Sequence, residues 1–453
     1  MPTPAAALPP AASGATTADP RALAATRAVF LSGDGLRGWG SLAVFMYHAA
    51  YFASVYATGV PGMQPFGHAA RLFVFGDPAL SIFFGLSGYL IARPFARSWV
   101  LDQPMPSLRR YTGHRVRRIV PVFWFTAPLA LAYFGTTGSA VQVLEVFTLT
   151  AALFLSPAIP SMSHSWSLFA EAGYYAVLPV LALAAQPFGR SPGRKVVGGL
   201  LALLVMFIGV YALRSWIGQD FRYQTTAPAA LYAFLPGTAL ALIEPIIGPW
   251  CTDHVRQAKA IAWIGAAASA GAYLAYLASW HATYPQLLSM LAGPRLLAIT
   301  ATATCLLAAL LMAQWATGWA PAVLTWGPAR WLGVRSYPFY IVHLPILFAI
   351  QQGDDGRHTA LRFTEAVLIG LPLTLALGAL VHAVVERPVL EGPAAQAAVL
   401  RRLAGRMRGL RPAGAAVAAA AIVLLVGLAA ATAGGYATHQ HEHGKVGTTS
   451  VRP

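Results

Sequence analysis

Long apolar runs alternate along the chain with short polar or basic connections. Stretches of membrane-crossing length lie near 36–57, 71–93, 117–135, 166–186, 196–213, 227–248, 259–279, 290–313, 332–351, 364–386 and 413–433. A helix of about 20 residues, at about 1.5 Å of rise each, matches a hydrocarbon layer of roughly 30 Å. A transmembrane barrel would need short strands of alternating polarity, and these runs are too long and continuous for that. The pattern predicts an all-α, polytopic integral membrane protein of about 11 transmembrane helices. A further apolar stretch, 141–160, carries Gln142 and Glu145 and ends in Pro157 and Pro160.

Lys and Arg collect in 97–118, 189–195 and 401–411. Cytoplasmic loops gather such residues, so an even number of crossings must separate each pair of these loops. That parity holds if 141–160 does not cross but lies at the interface or re-enters. The expected protein is a multi-pass protein of the cell membrane, with a cytoplasmic N-terminus and an extracytoplasmic C-terminus.

Composition agrees. Hydrophobic residues make up 57% of the chain and charged residues 10%, with a mean hydropathy of +0.59. That is too little charge to cover a soluble domain of this size. The net charge of +16 sits in loops, where topology explains it and no nucleic-acid partner is needed. Cys251 and Cys305 are too few for a disulfide framework. Residues 1–28, rich in Ala, Pro and Thr, read as a disordered tail. At the other end, 391–412 reads as a basic cytoplasmic linker, 413–434 as an additional helix and 435–453 as a short extracytoplasmic tail. His439, His441 and His443 alternate in that tail, read as solvated, and no metal site is expected.

Ionisable residues within membrane helices are costly, and each raises a functional hypothesis. In LRGWGSLAVFMYH, Arg37 and His48 are eleven residues apart. Eleven steps of 100° end about 20° past three turns, which puts both on one helix face, with His48 roughly 16 Å deeper. A histidine satisfied by an internal hydrogen bond and an arginine anchored at the boundary are the bland alternatives. In SHSWSLFAEAGYYAVLP, the positions of His164, Leu168, Glu171 and Tyr175 form one helical stripe, with Ser163 or Ser165 as candidate cap. The expected topology puts His164 at the outer mouth of this helix and Glu171 a turn or two inward. A buried pair that merely fastens helices competes with a functional Glu171. In VRSYPFYIVHLPILF, Ser336, Tyr340 and His343 repeat the pattern, with Pro345 expected to kink the helix. Glu386 reads equally as an interfacial ion pair with Arg387 or a basic loop, and as a functional group. Arg115 and Arg118, one turn apart, either retain the loop inside or grip phosphates with their guanidinium forks.

Taken in order, LRGWGSLAVFMYH, FFGLSGYLIARPF, HRVRRIVPVFW, SHSWSLFAEAGYYAVLP, YAFLPGTALAL, GVRSYPFYIVHLPIL and VERPV resemble the membrane-bound acyltransferase family 3, over roughly residues 30–390. GDPALSIFFGLSG departs from the Gly-rich approach common there, and Ala172 and Gly173 replace bulkier or acidic residues. The resemblance implies a ten-helix acyltransferase core. It implies O-acylation of a carbohydrate, glycolipid or related lipid-linked acceptor, with acyl-CoA, acetyl-CoA above all, as cytoplasmic donor and no permanently bound cofactor. Arg37 and His48 map onto the family's first-helix motif tied to activity, and Arg115 and Arg118 onto its paired arginines. His164, Trp166, Ser167, Leu168 and Glu171 map onto its His-x-Trp-Ser-Leu-x-x-Glu motif. The catalytic candidates are therefore His48, Arg37, Glu171 and His164, and the donor-binding candidates Arg115 and Arg118. Ser87, Trp166, Ser167, Tyr340, His343 and Glu386 are possible polar support. His48 would act as general base or as an acyl-carrying relay. The alternative class is a proton-coupled transporter or flippase using the same His and Glu residues. The pattern assigns no oligomeric state.

Overall fold

The structure is a computed structural model that describes residues 29–58, 66, 73, 75–134, 139–150, 160–187, 191–217, 221–279, 293–351, 358–392 and 398. The expected N-terminal tail, the eleventh apolar segment, the C-terminal tail and nearly all of the 391–412 linker lie outside these residues.

Among the described residues the elements are helices and turns. The principal helices are α1 (Gly33–Thr58), α2 (Gly76–Val100), α3 (Leu108–Phe134), α4 (Ala140–Phe147), α5 (Trp166–Ala185), α6 (Pro192–Ile217), α7 (Leu235–Asp253), α8 (Val255–Ser279), α9 (Gly293–Thr317), α10 (Gly327–Val334), α11 (Ser336–Gln351) and α12 (Thr359–Glu391). Ten of the eleven predicted apolar segments fall on them.

Among the described residues six helices are long and apolar enough to cross a membrane, and up to eight spans result if each of two bent pairs counts as one. The bent pairs are Ala227–Ala233 with α7, at 49°, and α10 with α11, at 77°. Helices α1 and α3 have the length to span, 26 and 27 residues, but carry the polar residues that concern the site. The face of α6 formed by Leu201, Leu204, Val205 and Ile208 is exposed. In water such a stripe would aggregate; against lipid tails it is the expected surface.

Helix α4 has a local cause. Ser139 accepts from the Gln142 amide at 3.3 Å, and the Gln142 side chain accepts from the Ser139 amide at 2.7 Å, a complete capping box. Its eight residues rise about 12 Å, well short of a bilayer. Residues 151–159 of the expected non-crossing stretch lie outside the described ones.

Helix α2 is the central post. It packs on α1, α7 and α9, and α1 packs in turn on α10 and α11. Close approach to α7 needs glycine at two points: Gly237 meets the Gly85 carbonyl and Gly88 the Phe234 carbonyl, leaving no space for a Cβ. This seats Ser87 and Arg93 of α2 beside the elements that carry the remaining polar groups.

Candidate active site

A short 3₁₀ turn, Pro160–Ser165, precedes α5. Ser165 stands at the cap position, but its hydroxyl donates to the Met162 carbonyl at 2.6 Å, so neither it nor the helix follows the expected capping pattern. His164 belongs to this turn and leaves the expected helical stripe. Its ring lies 5.0 Å from that of His343, and the His343 ring lies 5.0 Å from that of His48. Three imidazoles from α1, the turn and α11 therefore gather at one place. His48 Nδ1 and His343 Nε2 are 2.9 Å apart. His164 is 3% exposed, and its Nε2 is 3.1 Å from the Ile341 carbonyl oxygen.

Beside this cluster lies a cavity of about 260 Å³. Its polar lining comes from Arg37, Ser87, Arg115, Arg118, Ser167, Glu171, Tyr175, Ser336 and Tyr340, and its apolar lining is led by Phe83, Phe84 and Ile91. The stripe expected on α5 is real from Leu168 through Glu171 to Tyr175, all of which face the cavity. Likewise Ser336 and Tyr340 face it, while His343, one turn further, reaches the other histidines.

Glu171 is placed differently from the expectation. The sequence puts it a turn or two inward from the outer mouth, with Arg115 and Arg118 at the cytoplasmic side; in the structure it shares their cavity. The cause is the depth at which α5 begins. Because His164 meets His48, Glu171, seven residues on, runs roughly 10 Å back toward the arginines. There Glu171 Oε1 accepts from the Ser87 hydroxyl at 2.9 Å and the Tyr175 hydroxyl at 2.8 Å. His164 is likewise deep in the protein, not at a mouth.

Three guanidiniums face one carboxylate in this cavity, a formal excess of two positive charges. Arg37 also pairs with Asp34 at 3.4 Å. The Arg115 guanidinium packs over Tyr111 at 5.8 Å and Tyr175 at 5.3 Å, and its Nε is buried without a hydrogen-bond partner. Outside the apolar segment, His114 has its pKa lowered by partial burial and then by Arg115, Arg118 and Arg117, a local sign of positive potential. Such a site suits phosphate or another multiply charged anion.

His48 does not line the cavity. The wall nearest the imidazoles is formed by Ser167 and Tyr340, whose hydroxyls are 2.8 Å apart. The Tyr340 ring lies 5.1 Å from His164 and 5.2 Å from His343. Trp166 packs edge-on against Phe84 at 6.0 Å.

Glu386 departs from its expected partner. Its carboxylate is 2.7 Å from His382 Nδ1 within a π turn, His382–Glu386, while Arg387 pairs with Glu391 at 2.7 Å. Neighbouring residues of a helix point about 100° apart, and here Glu386 faces the interior while Arg387 is exposed. One buried pair was not singled out from the sequence. Glu244 of α7 accepts from Arg93 Nη2 at 2.6 Å and from the Tyr89 hydroxyl at 2.9 Å. The signal was available, since both charges interrupt apolar runs. Among the described residues no group of three or more His, Cys, Asp or Glu is arranged to hold a metal.

The family described as "Acyltransferase domain" matches residues 31–383, which include every residue of the cavity and the three histidines. The chain belongs to that acyltransferase family. It is a multi-pass membrane protein. It is 24% identical over 340 residues to the peptidoglycan O-acetyltransferase OatA of Listeria monocytogenes serovar 1/2a, an alignment covering 69% of this chain and 49% of that protein. It is 25% identical over 332 residues to YrhL of Bacillus subtilis (strain 168), assigned provisionally as a peptidoglycan O-acetyltransferase, covering 69% and 48%. The chain thus matches about half the length of each of these relatives. No solved structure matches it.

Proposed function

We propose that this membrane acyltransferase moves a short acyl group, acetyl in the simplest case, from cytoplasmic acyl-CoA to a hydroxyl of a carbohydrate or lipid-linked glycan of the cell envelope. The observation that carries this reading is the cavity with Arg37, Arg115 and Arg118, set directly against three imidazoles. The guanidiniums suit the phosphates of CoA, and the apolar wall of Phe83, Phe84 and Ile91 suits the pantetheine and acyl chain. The relatives named for peptidoglycan O-acetylation support a carbohydrate acceptor.

His48 is the proposed base. The acceptor hydroxyl gives its proton to the imidazole while its oxygen attacks the thioester carbonyl carbon. The carbon–sulfur bond then breaks, and the leaving thiolate takes the proton back. Ser167 and Tyr340, at the wall between donor cavity and histidines, are placed to hydrogen-bond the thioester. Glu171, holding Ser87 and Tyr175, offsets part of the positive charge that Arg115 and Arg118 bring to the donor side.

The experiment is release of CoA thiol by the purified full-length protein from labelled acetyl-CoA, with and without peptidoglycan fragments. Slow release alone, accelerated by acceptor with label appearing as an O-acetyl ester, is the expected result. No CoA release under either condition overturns the donor assignment, and release that acceptor never accelerates overturns the carbohydrate assignment.

A further inference from the structure

The contact between His48 and His343 joins two ring nitrogens, so one proton serves it and one ring must accept. The far side of His343 decides which. Its Nδ1 faces the backbone carbonyl oxygen of Tyr340, a group that can only accept. Nδ1 of His343 therefore carries the hydrogen. A neutral imidazole has a single N–H, so His343 Nε2 holds a lone pair. The proton between the rings then belongs to His48 Nδ1, and the lone pair of His48 lies on Nε2. These tautomers are assigned from the hydrogen-bond chain, in the way such assignments must be made.

The three rings differ in what their nitrogens meet. His164 Nε2 faces the Ile341 carbonyl, so its hydrogen is on Nε2 and its lone pair on Nδ1, which is buried without a partner. His48 also keeps a lone pair, since among the described residues no hydrogen bond engages its Nε2. His343 alone has both nitrogens committed. It cannot itself serve as the base without breaking this chain. Its orientation is held from outside the pair: it is 1% exposed, and the Phe339 ring lies at 6.5 Å and 4° from parallel.

We infer that His343 is a positioning residue, which through the chain from the Tyr340 carbonyl holds His48 in the Nδ1–H form with Nε2 as the free base. This rests on the reading of His48 as base. A neutral imidazole left to itself favours hydrogen on Nε2, the atom that must accept the hydroxyl proton. His343 thus does for His48 what a buried carboxylate does for the histidine of a serine-hydrolase triad, with a backbone carbonyl in place of the charge.

The test uses the full-length protein in bilayers with ¹⁵N-labelled histidine, each signal assigned by its loss in a single variant. His48 and His343 are expected protonated on Nδ1 and His164 on Nε2. His343→Leu should move the His48 hydrogen to Nε2 and lower kcat on the order of 10²-fold, with KM for acyl-CoA changed by less than about twofold. His343→Gln, whose side-chain oxygen can accept from His48 Nδ1, should restore the tautomer and about tenfold of the lost kcat. A parent protein with His48 protonated on Nε2 overturns the inference, as does a folded His343→Leu variant with parental kcat. If His343→Leu does not fold, the parent spectrum and the Gln variant decide. Parental activity in His48→Ala would instead remove the base reading, while the spectrum still tests the hold of His343 on His48.

Discussion

Tyr340 and Ser167 meet hydroxyl to hydroxyl at 2.8 Å, and both also reach the carbonyl oxygen of His164, at 2.9 and 3.1 Å. Two hydroxyl hydrogens serve three contacts, so either residue can supply the carbonyl when the other is lost.

That redundancy makes a prediction about coupling. Tyr340→Phe and Ser167→Ala should each cost about 1 kcal/mol of stability, because the remaining hydroxyl still donates to His164. The double variant leaves the carbonyl with neither, and should be destabilised beyond the sum by about 0.5 kcal/mol or more. Thermal unfolding of the four proteins in one detergent measures this. Strict additivity would show that the two hydroxyls do not share the carbonyl. Acyl transfer should fall in both single variants while CoA affinity holds.

A second prediction concerns the donor. Arg115 and Arg118 line the cavity, and the Arg115 guanidinium lies over two tyrosine rings. Replacing both with Gln should weaken CoA binding by on the order of 2 kcal/mol or more, about 30-fold in Kd. Replacement of both with Lys keeps the charge but loses the planar fork and the stacking, and should fall between. Calorimetric titration that gives the parental Kd for the Gln variant rejects the assignment.

These residues also show where a sequence stops being legible. The stripe of Leu168, Glu171 and Tyr175 could be read in advance because helical periodicity is local, and so could Ser336 and Tyr340 on α11. The depth of Glu171 could not. It depends on α5 starting beside His48 after a 3₁₀ turn, a tertiary fact that a hydropathy window averages away. The 77° bend between α10 and α11 is of the same kind. Glu386 stands out as a charge, but whether it turns toward a basic loop or inward to His382, four residues back, is decided by how α12 packs rather than by local pattern. Arg93 and Glu244 each broke an apolar run, yet 151 residues separate them and nothing local pairs them.

The pair of Arg93 and Glu244 yields a stability prediction. Arg93 Nη2 and Glu244 Oε1 are 2.6 Å apart, with side-chain exposures of 15% and 5%. Glu244→Ala removes the carboxylate that takes the Arg93 guanidinium and the Tyr89 hydroxyl, and should cost about 3 kcal/mol. Replacing both charges with Met should recover most of that, because the penalty lies in the uncompensated charge rather than in the lost attraction. Unfolding midpoints in detergent read the outcome. A Glu244→Ala protein as stable as the parent would show that water or a neighbouring group already satisfies Arg93.

The last prediction tests His48. It is half-buried and in contact with His343, and the tautomer inferred above leaves its Nε2 lone pair for a hydroxyl proton. His48→Ala should fold, insert and bind CoA within about twofold of the parent, yet lose roughly 10²-fold or more in acyl transfer, the range for removing a general base. His48→Gln keeps hydrogen-bonding capacity without basicity and should fare little better. The pH profile separates this from a packing defect. In the parent, transfer should fail as pH drops through the pKa of that imidazole, because protonated Nε2 has no lone pair to offer. The residual transfer in His48→Ala should lack this acid limb. Transfer from labelled acetyl-CoA, measured beside a monodispersity check, reads both. A folded His48→Ala protein with near-parental activity, or one that keeps the acid limb, removes His48 from the chemistry.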